Sequence, residues 1–176
     1  RQPKSVVFSP DSRRHVVNLL DDEGFQVFAA ATLEELAYVK PGGAKANGFV
    51  EGVFVGNAGE YWVSRMTTGT VYRCILPPDG EAGGAEPWAA AAASIEAHAS
   101  GGAWSKVLAY SPALDVIAVS NWLSNDVALL DRATGTLSGR IGPIPVPRGL
   151  AFSPGGEFLY VTSYDADGAP LETTPV

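Results

Sequence analysis

The sequence predicts an all-β fold made of one four-stranded antiparallel unit repeated along the chain. Three observations carry this expectation. Its apolar segments are short, rich in β-branched and aromatic residues, and divided by Gly, Pro, Asn and Asp, a pattern of strands and turns rather than helices. A Ser-Pro pair closes three of these segments, and the residues after each pair recur in register. With 20 Gly and 13 Pro in 176 residues, the chain has the turn formers that many short strands need.

The Ser-Pro anchors are Val6-Val7-Phe8-Ser9-Pro10, Val107-Leu108-Ala109-Tyr110-Ser111-Pro112 and Gly149-Leu150-Ala151-Phe152-Ser153-Pro154. Ser111 and Ser153 are 42 residues apart, and Ser9 and Ser111 are 102 apart, room for two repeats. The anchor missing between them falls at Gly52-Val53-Phe54-Val55-Gly56-Asn57-Ala58-Gly59-Glu60, where an aromatic residue and a Gly/Asn turn remain. Nine residues after the three serines come Asn18, Ser120 and Thr162. Fifteen after come Gly24 and Asp126, each leading into an apolar strand. The clearest full unit runs from Trp104 to Ile141, with strands Lys106 to Tyr110, Val116 to Ser120, Val127 to Leu130 and Leu137 to Ile141. Four antiparallel strands at this period are the signature of a β-propeller blade, named a to d from the inside outward.

Blades are thus expected at 3–39, 49–98 and 104–141, followed by strands a and b of a further blade at 148–164. The tail Asp165 to Val176 shows no c or d strand. The prediction is about three and a half blades in a single, incomplete propeller. The segment 78–102 interrupts the second blade between c and d. Its Ala89 to Ala99 stretch suits a short helix, or Ser94 to His98 form strand d after a long loop. A variable surface insert is the favoured reading, a functional loop the other.

Composition removes several classes of function. Apolar residues are 46% and charged residues 18% of the chain, as in a globular domain. The net charge of −7 and pI of about 4.7 lack the basic footprint that nucleic acid requires. No run of 18 apolar residues exists to span a membrane. Cys74 is alone, so it forms no disulfide within the chain and reads as a buried small hydrophobe. No metal or other cofactor is expected. His15 and His98 are the only histidines, no zinc spacing occurs, and Asp165-Ala166-Asp167-Gly168 lacks the rest of a calcium loop. No Gly-x-Ser-x-Gly or other catalytic constellation is present. A chain that begins with Arg1 and carries no signal peptide is expected to be a processed product or a piece of something longer.

The runs Ile117-Ala118-Val119-Ser120-Asn121, Asp126-Val127-Ala128-Leu129-Leu130-Asp131, Thr134-Gly135, Pro147-Arg148-Gly149-Leu150-Ala151-Phe152-Ser153-Pro154-Gly155-Gly156 and Leu159-Tyr160-Val161-Thr162 resemble the YVTN or surface-layer type of propeller repeat. This family overlaps in pattern with lactonase-like and WD40-like propellers. The resemblance covers Lys106 to Ser163 most strongly, then Pro3 to Val39, and Phe49 to His98 least. It implies an extracytoplasmic setting, periplasmic or extracellular, and is nearly silent on activity. The leading expectation is a non-catalytic binding or scaffold module for protein or small-ligand interactions. The alternatives are a lactonase-like hydrolase, the propeller domain of an oxidoreductase, or an assembly module completed by strand pairing with another chain. The expected partners are the remaining blades of a longer propeller, a second copy, or a different polypeptide.

In propellers the d–a and b–c loops share one face, where side chains converge. Candidate binding residues there are Asn121, Trp122 and Asp126 on a b–c loop, and Arg148 after a d–a loop, with Lys4 and Lys106 at similar points before strands a. Three basic groups in an otherwise acidic protein suggest a site for an anionic small ligand. The competing reading is ordinary salt bridging for the cations, Asx turns for the amides, and packing between blades for Trp122.

Overall fold

The computed structural model describes residues 2–42, 47–56, 59–77, 88, 91, 94–164 and 172–175. Among them are fifteen strands: β1 (Pro3–Phe8), β2 (Arg14–Leu19), β3 (Phe25–Ala29), β4 (Glu35–Val39), β5 (Phe49–Val55), β6 (Glu60–Arg65), β7 (Thr70–Ile75), β8 (Glu96–Ala99), β9 (Ser105–Ser111), β10 (Val116–Asn121), β11 (Asp126–Asp131), β12 (Leu137–Ile141), β13 (Pro147–Phe152), β14 (Phe158–Ser163) and β15 (Glu172–Pro175). One turn of 3-10 helix, Met66–Thr68, joins β6 to β7. The strands form the sheets β1-β2-β3-β4, β5-β6-β7-β8, β9-β10-β11-β12 and β13-β14-β15, each in sequence order. The protein is an all-β, incomplete β-propeller.

Two differences from the expected elements stand out. The tail, read as strandless, contributes β15, which pairs antiparallel with β14 from Phe158↔Pro175 to Val161↔Glu172. Glu172-Thr173-Thr174-Pro175 carries no apolar alternation, so the only signal for this strand is the backbone edge that β14 offers it. In the insert, Glu96–Ala99 forms strand d, which selects the long-loop reading for that stretch. The rest of the Ala-rich run and the acidic loop Asp165-Ala166-Asp167-Gly168 lie largely or wholly outside the described residues.

The Ser-Pro anchors have a mechanical explanation. Ser9 Oγ accepts the N–H of Arg14 at 3.0 Å, and Ser153 Oγ accepts that of Phe158, also at 3.0 Å. In both hairpins the serine N–H donates to the carbonyl of the same residue. The serine therefore closes the turn between strands a and b, and the proline after it limits how the chain leaves. In the third hairpin Ser111 Oγ accepts instead from Leu114 at 3.3 Å.

The chain divides into two compact units, Arg1–Val63 with Tyr72–Ala97, and Ser64–Val71 with His98–Val176. The first is built on Val16, Phe25, Val27, Val39, Phe49, Tyr61, Val63, Tyr72, Cys74 and Leu76. Tyr61 meets Phe25 edge-on at 5.2 Å and exchanges hydrogen bonds with the Asn18 amide. Burying each such large side chain contributes roughly 1.5–3 kcal/mol. Cys74 is fully buried, and the loss of solvent pushes its thiol up to about 12. The second unit is built on Ala118, Val127, Ile144, Leu159 and Val161. There Leu159 and Val161 face the core while Phe158 and Tyr160, the alternating residues of β14, stay exposed.

Candidate functional site

In three of the sheets the a–b ladder slips at one repeated position. Opposite the Pro3↔Leu19 and Ser5↔Asn18 pairs, Lys4 is an extra residue on β1. Between Ser105↔Asn121 and Leu108↔Val119, β9 carries Lys106 and Val107 against Ser120 alone. Between Pro147↔Ser163 and Leu150↔Val161, β13 carries Arg148 and Gly149 against Thr162 alone. A β-bulge bends the strand and re-aims its side chains. Here each bulge holds the basic residue that the sequence singled out.

In the second unit this aim produces a ladder of cations and rings. Lys106 Nζ lies 3.2 Å from the centroid of the Trp122 ring. Arg148 Cζ lies 4.2 Å from the same ring and 4.7 Å from the ring of Tyr164. Lys106 and Arg148 are 42 residues apart, as are Trp122 and Tyr164, so one cation–aromatic pair is built twice by the repeat. Such contacts contribute about 0.5–2 kcal/mol each, more when water is excluded. Among the described residues no carboxylate pairs with Arg148. The Trp122 Nε1 is buried and has no acceptor among them either.

The loops that carry the ladder are tied to one another by main-chain contacts. Trp122 N–H donates to the Trp104 carbonyl at 3.1 Å and Leu123 N–H to that of Ala103 at 3.2 Å. Ile144 N–H donates to the Asn125 carbonyl at 2.8 Å, and Tyr164 N–H to that of Val146 at 3.1 Å. The Asn125 side chain accepts from Val146 N–H at 3.0 Å. Trp104, Asn125 and Val146 all have positive φ, of 60°, 55° and 43°. For a β-branched residue such as Val146 this is a strained conformation that persists only where its surroundings impose it.

Asn121 and Asp126 take a different place from the cations. Asn121 is fully buried, accepts from Ser105 Oγ at 2.7 Å and donates to Asp126 at 2.8 Å. Ser105 in turn bonds Ser100 at 2.7 Å. Asp126 receives Arg140 at 2.6 Å, and Arg140 also reaches the Ser100 carbonyl at 3.2 Å. These two residues build the loop on which Trp122 stands, and both side chains are engaged within the protein. Lys4 lies exposed on β1 in the first unit. Gly149 donates its N–H to Thr162 Oγ1 at 2.6 Å, and a Cβ there would stand 2.9 Å from that same oxygen.

Tyr164, Trp104 and Leu123 were not singled out as site residues by the sequence. Tyr164 carries a usable signal, since it occupies the repeat position of Trp122. Trp104 carries none, because its positive φ arises from tertiary contacts. His15 is packed between Phe8 and Phe28, at 5.5 Å and 5.2 Å.

No protein-family model matches the chain. It is 33% identical over 166 residues to antigen Lp49 of Leptospira interrogans, a match that covers 94% of this chain and 33% of Lp49. The chain thus spans about a third of the length of this curated relative. Among solved structures it superposes on the β-propeller domain of Myceliophteria thermophila Cps50 (Swd1) with a TM-score of 0.73 at 14% identity, covering 99% of this chain and 54% of that one. It superposes on hydrazine synthase of Kuenenia stuttgartiensis with a TM-score of 0.77 at 14% identity, covering 97% and 44%. At such identities the likeness is one of fold.

Proposed function

We propose that this chain is part of a non-catalytic binding propeller of the YVTN type, and that it holds its ligand by an anionic group at the Lys106–Trp122–Arg148–Tyr164 ladder. The observation that carries this reading is the convergence of two cations on one indole ring. Stacking engages the face of a guanidinium and leaves its N–H edge free to donate. Arg148 thus offers oriented positive donors, and the buried Trp122 N–H adds one without an acceptor. An unsatisfied buried donor costs about 1–3 kcal/mol, which an acceptor entering beside the ring offsets.

The test is titration of the 176-residue chain with glutarate and with sulfate, followed by tryptophan fluorescence and calorimetry. Saturable binding is expected, weakening as salt rises and lost in Arg148→Gln. No response to either anion at tens of millimolar would refute the site. The YVTN assignment is supported by the repeat residues from Lys106 to Ser163, and an extracytoplasmic setting by that resemblance and by the description of Lp49 as an antigen. A reading frame for the whole protein without a secretion signal would overturn the placement.

A second reading concerns completion of the propeller. Val6 and Phe8 on β1, and Phe158 and Tyr160 on β14, are exposed large hydrophobic residues in the first and last of the described sheets. Further blades, from the same polypeptide or another chain, would cover them. Light scattering that finds a stable, soluble monomer of the 176-residue chain would count against completion by a second copy.

A further inference from the structure

Two features of the ladder's surroundings narrow the kind of ligand. The first is apolar exposure on the same stitched loops. Leu123 is 63% exposed, Tyr164 66% and Trp104 41%. Each has its backbone hydrogen-bonded into the loops that carry Trp122 or Arg148. Trp, Tyr and Arg are the residues most enriched among the energetic centres of protein interfaces, and here they are held on backbone that the fold has already fixed. A preformed surface avoids much of the ordering cost of association. A simple inorganic anion uses the cations and leaves Leu123 and Trp104 in water.

The second feature is the balance of charge. The ladder supplies two positive groups, whereas the whole chain carries −7. A long acidic tract or a nucleic acid strand would gain two favourable contacts and then meet the field of an acidic protein. One or two carboxylates match the Arg148 guanidinium and incur little of that repulsion.

We infer that the ladder receives a polypeptide segment presenting one or two carboxylates beside an apolar side chain. A carboxylate meets Arg148, and the apolar group covers Leu123 and the exposed rings. This rests on the anion-binding reading above and goes further by naming the partner's chemistry.

The experiment uses the 176-residue chain and five probes in calorimetric competition: acetyl-Glu-Phe-Glu-amide, its Gln-Phe-Gln and Glu-Ala-Glu counterparts, glutarate, and a short oligothymidylate. The Glu-Phe-Glu peptide is expected to bind about tenfold or more tighter than either counterpart, a step of about 1.4 kcal/mol for each lost interaction. Arg148→Gln weakens the peptide and glutarate alike, whereas Leu123→Ser weakens the peptide alone. Both side chains are exposed; Leu123→Ser is expected to unfold at the parent's temperature, and Arg148→Gln slightly below it through loss of its two ring contacts, with both folded at the temperature of the titration. If glutarate binds as tightly as the peptide, and Leu123→Ser changes neither, the polypeptide inference falls and the anion site stands. If the Gln-Phe-Gln peptide binds as well as the Glu-Phe-Glu peptide, the anionic reading falls with it. Tighter binding of oligothymidylate than of peptide overturns the partner class.

Discussion

Ser120 Oγ accepts the N–H of Val107 at 2.9 Å, across a bulge in which Ser120 alone faces two residues of the neighbouring strand. The same bond recurs 42 residues later, from Gly149 N–H to Thr162 Oγ1. In the first blade Asn18 fills the position and donates to Ser5 Oγ at 2.9 Å. A bulge leaves a backbone N–H without its ladder partner, and the Ser120 and Thr162 hydroxyls provide one. This explains why Ser120 and Thr162 recur nine residues after their anchor serines, whereas Asn18 braces its bulge through the Ser5 hydroxyl.

Ser120→Ala should therefore cost about 1–3 kcal/mol, because a part-buried N–H loses its acceptor. Ser120→Thr should retain most of the stability. Urea unfolding monitored by circular dichroism measures both, and an alanine variant as stable as the parent would show that water serves the N–H equally well.

Lys106 and Trp122 should be coupled. A double-mutant cycle with Lys106→Gln and Trp122→Leu is expected to give an interaction energy of about 0.5–2 kcal/mol. Thermal unfolding of the four proteins of the cycle supplies the numbers.

Gly52 is required by a close approach. A Cβ at this position would stand 2.0 Å from Tyr61 Oη and 2.9 Å from the Trp62 carbonyl oxygen. The tyrosine is fully buried and hydrogen-bonded to Asn18, so it has nowhere to retreat. Gly52→Ala should destabilise the chain by about 1–3 kcal/mol through overpacking. Gly56, whose added Cβ would meet nothing within 4 Å, has φ of 57°, so Gly56→Asn, which tolerates that conformation, should be nearly neutral. Equilibrium unfolding of the two variants side by side checks the contrast.

Stability should fall in alkali. Burial pushes the Cys74 thiol up to about 12 and raises the Tyr61 phenol still further. An unfolded chain releases the thiol proton near about 8.5. Above that pH the unfolded state binds fewer protons than the folded one, so this contribution is fully present below pH 8.5 or so and is lost as pH rises toward 12. Denaturation midpoints at successive pH values should decline through this window, and Cys74→Ala should decline less steeply. A thiol reagent at pH 8 should leave the folded protein unmodified and label it after denaturation.

Much of the fold was legible because it repeats. Strands β9 to β12 fall within one or two residues of their expected limits, since apolar alternation and turn residues mark them locally. Strand β15 was not legible, because its four residues carry no apolar alternation and are recruited by an existing edge. The six candidate residues divide along similar lines. Lys4, Lys106 and Arg148 share a repeat position, which the spacing exposes. Which of them meet a ring, and that Asn121 is fully buried while Trp122 receives two cations on its ring, depends on a bulge and on hydrogen bonds between segments far apart in the chain.

The amino-acid order by itself determined the all-β class, the period of 42 residues and the basic residue that opens each bulged strand, because strand patterning and turn chemistry act over a few neighbouring residues. Tertiary structure decided that Arg148 rests on the ring of Trp122, 26 positions back in the chain, and that Trp104, Asn125 and Val146 take left-handed conformations. A side chain's partners depend on register and packing between blades, and those are fixed only when distant strands close on a common core.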